Sequence, residues 1–257
     1  MGWQPDGWDV RWRMGVLVPH ADVGPESELR AMAPSEVGIH AARVHFAAMA
    51  TGGKMDPTIP LAPVRAFAEP PYVDDAVELL ATAPINAIAF GFTSSAYVIG
   101  ADGERSMIER LSVRANGIPV VATCAASLEA LGKLGAARIA LIVPPWFDAE
   151  LTGLGAEYYS SAGFDIVFAS PCAIPSDQKL ITPAALFDFA AENVPDAAEA
   201  VVIGGNGFRA VGVIDALETK LSRPVLTANQ VLFWAALAAA GAPTSSVTGY
   251  GRIFATA

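Results

Sequence analysis

Cysteine is nearly absent. Only Cys124 and Cys172 occur in 257 residues, far apart and without CxxC spacing, so neither a disulfide framework nor a zinc knuckle is suggested. Charge is scarce as well, at 16% of residues, and what there is leans acidic: 16 Lys and Arg against 26 Asp and Glu give a net charge of −10. Such a field repels a phosphate backbone, and nucleic acid is not an expected partner. Long apolar runs are missing too. The stretch 231–240 is about half of the ~20 residues a bilayer span needs; it reads as a buried helix, and no membrane partner is expected. The first ten residues lack a basic region leading into an apolar one, so the expected location is cytoplasmic. There is no Walker loop, no GxSxG elbow and no GxGxxG between a strand and a helix, which removes support for nucleotide and serine-hydrolase chemistry. What is present is a core: 53% hydrophobic residues and a mean hydropathy of +0.41 exclude disorder and predict a compact α/β chain.

Six short runs rich in Val, Ile and Phe recur between helix-like segments, as strands buried on both faces of a parallel sheet do. They are 14–18, 87–90, 119–122, 138–143, 200–203 and 224–227, and they fall into two sets of three. Val18-Pro19-His20 answers Val143-Pro144-Pro145, the tip Gly91-Phe92-Thr93-Ser94 answers Gly204-Gly205-Asn206-Gly207, and 118–124 answers 223–229. Such internal repetition predicts two pseudo-symmetric lobes, each a mainly parallel sheet flanked by helices, with an active-site cleft where the strand tips face one another. Lobe one is expected at 14–118 plus 225–257, and lobe two at 119–224, with the chain crossing near Pro119 and Pro224.

The tips carry the candidate chemistry. Phe92-Thr93-Ser94-Ser95 offers hydroxyls and successive backbone N–H groups after a buried strand, where a helix N-terminus either holds an anion or is merely capped. Gly205, Asn206 and Gly207 allow a ligand to approach the backbone, or simply make a tight turn. Cys124, at a third strand-to-helix tip, is a nucleophile if the helix N-terminus lowers its pKa and inert core otherwise. His20 ends the first strand and is placed to shuttle a proton. His40 and His45 have no metal-triad spacing, and no metal is indicated. Tyr250, between glycines, reaches the cleft or packs. Asp22, Glu26 and Asp148 follow predicted tips as acids, bases or solvated loop carboxylates.

With these paired tips, and with residues 208–217, 227–234 and 249–254, the sequence resembles the aspartate/glutamate racemase superfamily, within it the maleate cis-trans isomerase and arylmalonate decarboxylase branch. The resemblance implies cofactor-independent isomerisation or decarboxylation of a small mono- or dicarboxylic acid held in an interlobe anion cradle. It also implies a cysteine at the tip of each half, or, in the decarboxylases, only at the second, where it protonates the enediolate. Here those positions read Phe92 and Gly205. Cys124 is then the first choice and His20 the second for the catalytic group, with Phe92, Thr93, Ser94, Gly205, Asn206, Gly207 and Tyr250 binding the substrate. A protein on this fold that binds a small carboxylate without turning it over is the alternative, and assembly into a homo-oligomer is left open.

Overall fold

The structure, a computed structural model, describes residues 4, 6–50, 52–55 and 58–256. Its first half runs β1 (Trp12–Pro19), α1 (Gly24–Met32), β2 (Val37–Val44), the short hairpin β3 (Met49–Ala50) and β4 (Lys54–Met55), α2 (Leu61–Phe67), α3 (Tyr72–Leu80), β5 (Ala87–Phe90), α4 (Thr93–Arg114), β6 (Val120–Ala122) and α5 (Thr123–Leu134). The second half continues β7 (Arg138–Val143), α6 (Ala149–Ser161), β8 (Asp165–Pro171), α7 (Pro183–Asn193), β9 (Ala200–Ile203), α8 (Ile214–Leu221), β10 (Val225–Thr227) and α9 (Ala228–Ala239). No helix among the described residues is long and apolar enough to cross a membrane.

Two parallel four-stranded sheets result, ordered β2-β1-β5-β6 and β8-β7-β9-β10. The order is the same in both, so the repeat expected from six runs is a repeat of four strands. The inner strands explain why the six runs stand out: β5, β7 and β9 are buried along nearly their whole length, and β1 along most of its own. Phe92 and Gly205 each lie two residues past the end of the equivalent strand, β5 and β9.

The lobe boundaries need one correction. β6 pairs with β5 and β10 with β9, so the third run of each set stays in its own sheet, and the crossings fall after these strands rather than before them. The helices make the crossing. α9, buried on every side over residues 228–237, packs against β5 and β6 of the first sheet. The first turns of α5 lie beside β9, and Tyr159 of α6 donates to Ser127 Oγ at 3.1 Å. Each helix therefore covers the other lobe, and α5 and α9 pack on each other across the pseudo-two-fold. Gly135, in the left-handed region at φ 68°, ends α5 as a C-cap glycine does.

Candidate functional site

The two tips meet. Phe92, Thr93 and Ser94 from the first lobe and Gly205, Asn206 and Gly207 from the second line one cavity of about 30 Å³, walled also by Asp22, Phe46, Trp146 and Phe147. That is room for a water or two. Phe92 lies against Phe67, ring centroids 4.1 Å apart, and against Phe46 at 4.8 Å, which packs an aromatic cluster under the first tip.

Asn206 ties the lobes together. Its Oδ1 accepts the Thr93 N–H at 2.8 Å and the Thr93 hydroxyl at 2.6 Å, occupying a position at the N-terminus of α4 where an unsatisfied N–H would otherwise attract an anion. Its Nδ2 donates to Asn229 Oδ1 at 2.9 Å and to Thr123 Oγ1 at 3.1 Å. Asn229 Nδ2 in turn donates to Glu28 Oε2 at 2.7 Å, and Glu28 Oε1 accepts the N–H groups of Ala210 and Val211 at 2.7 and 3.1 Å. This buried relay was not legible in the sequence, because Glu28 in α1 and Asn229 in α9 are 201 residues apart and only tertiary packing brings them together.

Burial pushes the Glu28 carboxyl up to about 6 against the amide and backbone donors that hold its charge. A carboxyl raised from 4.5 favours the folded state fully only below 4.5, and that contribution is lost as pH climbs to 6. The shift of 1.5 corresponds to about 2 kcal/mol. Chemical denaturation between these pH values is expected to show that slope in the wild type and to lack it in Glu28→Gln.

Asp22 is the titratable side chain on the cavity wall. Only 4% exposed, its Oδ1 accepts the Gly24 N–H at 2.8 Å and faces Gln178 Nε2 at 3.4 Å. Loss of water outweighs these donors and the Arg43 charge, so its pKa is raised. Gly207 makes room for it: a Cβ there would come within 2.7 Å of Asp22 Oδ2 and 2.5 Å of Gln178 Nε2.

The remaining sequence candidates are elsewhere. Cys124 does not line the cavity; it is completely buried beneath it, with Sγ 3.6 Å from the Thr93 carbonyl. The expectation that a helix N-terminus would favour its thiolate is corrected. Burial, and then the charge of Glu104, push the thiol well above its usual value, because Glu104 takes the backbone N–H groups of Cys124 and Ala125. Tyr158 OH also donates to Glu104. His20 is exposed and stacks on His45 at 5.4 Å, lining a larger neighbouring cavity instead. Tyr250 lines that same cavity and donates to the Ala31 carbonyl at 3.0 Å. Cys172 is buried core, its thiol pushed up to about 12 by desolvation.

Gly205 is more than a tip without a thiol. Its φ of +89° lies in the region that disfavours side chains, and a Cβ would come within 2.2 Å of Pro144 Cγ. Gly205→Cys is therefore expected to lower stability by about 2–4 kcal/mol, read as a lower denaturation midpoint, and not to confer thiol-dependent turnover.

Among the described residues, no three His, Cys, Asp or Glu side chains cluster as a metal site requires. What the cavity offers is backbone and hydroxyl donors beside one buried carboxyl, an arrangement suited to holding an acid and transferring a single proton.

A family model of the arylmalonate decarboxylases matches residues 70–254, most of the chain, and includes both tips and the C-terminal glycine motif. The chain belongs to the arylmalonate decarboxylase family. Solved structures share its fold. A cysteine-to-alanine variant of maleate isomerase from Pseudomonas putida S16 with maleate superposes with a TM-score of 0.83 at 21% identity, covering 96% of this chain and 98% of that one. The maleate cis-trans isomerase of Nocardia farcinica, in a variant with a covalently bound succinylcysteine intermediate, gives 0.80 at 22% identity, covering 95% and 98%. An arylmalonate decarboxylase gives 0.73 at 19% identity, covering 95% and 100%. No curated protein matches the chain in sequence.

Proposed function

We propose that the protein is a cofactor-independent decarboxylase of a small malonate-type carboxylic acid, with Asp22 as its proton donor. The supporting observation is that Asp22 is the one titratable side chain on the wall of the cavity where the two tips meet, buried and with its pKa raised toward the protonated form. Ser94, with the backbone at 205–207, holds the carboxylate that stays; the N–H and hydroxyl of Thr93, expected to share that task, are both taken by Asn206. The other leaves as carbon dioxide when its C–C bond breaks, the electron pair passes to an enediolate, and Asp22 protonates the α-carbon and regains its proton from water. One donor on one face suffices. Racemisation would need a relay on both faces, and cis-trans isomerisation by thiol addition would need a thiol at the cavity, whereas Phe92 and Gly205 hold the two tip positions.

Because the cavity is small, substrate entry requires the Phe92 ring to turn aside or the lobes to part. The Phe92 ring, standing at a tip where the family resemblance implies a cysteine, favours a second reading, a carboxylate-binding protein without turnover. Incubation with phenylmalonate and maleate, followed by carbon dioxide release, product NMR and thermal shift, separates the two. Turnover of phenylmalonate supports the decarboxylase; stabilisation by either acid with no turnover supports the binder.

A further inference from the structure

Behind the wall formed by Asp22 and Gly207 lies a second and much larger cavity, of about 880 Å³, bounded by α1, the end of β1, the segment 177–183 and the segment 207–212. Its volume is within the range of ordinary small-molecule sites, whereas the cradle cavity beside it holds a water or two. Its apolar lining includes Ala31, Val211 and Val23, the last a hydrophobic side chain left 65% exposed.

The polar groups on its wall lean toward an anion. Lys179 and Arg209 line it, and neither has a carboxylate within ion-pair distance among the described residues; the Arg209 guanidinium reaches only the Ile181 carbonyl at 3.5 Å. Arg43 lines it too but is engaged by Glu26 at 2.6 Å and by the Asp22 carbonyl. His20 Nδ1 accepts the Phe46 N–H at 3.2 Å, so neutral His20 keeps its own proton on Nε2 as a free donor. The carboxylates present are occupied: Glu28 by Asn229 and two backbone N–H groups, Asp177 by the Lys179 N–H. In a chain of net charge −10, a wall with three cations, Arg43, Lys179 and Arg209, against two carboxylates, Glu28 and Asp177, is a local exception.

We propose that this cavity is a binding site for an organic anion with an aromatic or extended apolar body, its acidic group held by Arg209 and Lys179. The site is separate from the cradle and does not depend on the chemistry at Asp22. A carboxylate, sulfonate or phosphate on such a body presents the same charge to these residues.

Anilinonaphthalene sulfonate supplies a fluorescent probe of that chemistry, with naphthyl phosphate and naphthoate as competitors to distinguish the acid groups. The expected result is saturable one-to-one binding, weakened roughly five- to tenfold in Arg209→Ala and again in Lys179→Ala, and weakened by added salt. Gly212 lines the cavity, and a Cβ there meets nothing nearer than Pro183 Cγ at 3.7 Å, so Gly212→Phe adds a ring at the wall without a clash at its Cβ and should abolish binding. Asp22→Asn should bind the probe at least as tightly as wild type, which keeps this test independent of the decarboxylase reading. Equal affinity in wild type, Arg209→Ala, Lys179→Ala and Gly212→Phe, all folded by circular dichroism, would overturn the proposal.

Discussion

Asp22→Asn should lower turnover of the active malonate by at least about a hundredfold, the scale of a positioned proton donor, while leaving the protein folded. The amide is isosteric, and its oxygen still accepts the Gly24 N–H that Oδ1 now accepts at 2.8 Å. Its NH₂ turns toward Gly207, where the backbone leaves space because there is no Cβ. Removing a desolvated carboxyl from a nearly closed wall also removes a burial cost, so the denaturation midpoint should stay level or rise. KM for the acid should change far less than kcat, because the donors that hold the carboxylate belong to Ser94 and the 205–207 backbone. A rise in KM together with an unchanged kcat would assign Asp22 to binding instead.

Asn206→Ala should lower stability by about 2–4 kcal/mol, as much as the strained Gly205→Cys. The side chain is 3% exposed and makes hydrogen bonds to Thr93, Thr123 and Asn229, which belong to α4, α5 and α9. Truncation leaves the buried Thr93 N–H and Asn229 Oδ1 without partners and cuts the relay to Glu28. A water entering the polar void replaces part of what is lost, which is why the figure is not higher. In a chain of this length the change corresponds to a fall in Tm of roughly 5–15 °C. Asn206→Asp is the informative companion. It keeps the acceptor for Thr93 but presents an oxygen to Asn229 Oδ1 in place of Nδ2, so it should recover only part of the loss.

How much of this the sequence carried depended on whether the deciding partner was local. Inner strands declare themselves as continuous apolar runs because both faces are covered, and all six expected runs are strands. The outer strands β2 and β8 are half-exposed and interrupted by residues such as His40, Arg43, Asp165 and Ser170, so they showed no such run. The equivalence of Phe92 and Gly205 was legible because the tips sit at matching distances past matching strands. The fate of Cys124 was not. Its helix N-terminus is filled by Glu104 from α4, a contact set by tertiary packing, and that contact converts an expected activated thiol into an inert one. Asp22 stood in the sequence as one tip carboxylate among three; only the approach of Gln178 and Gly207 from the other lobe buries it.

The pH dependence of decarboxylation, measured in parallel on wild type and Cys124→Ala, tests most directly whether a carboxyl rather than a thiol donates the proton. A carboxyl that must be protonated, with its pKa raised above the ordinary 3.8 by burial, gives a rate that falls with rising pH through one ionisation, the same limb in both proteins. A falling limb in the alkaline, thiol range of the wild type that vanishes together with the activity in Cys124→Ala would contradict it.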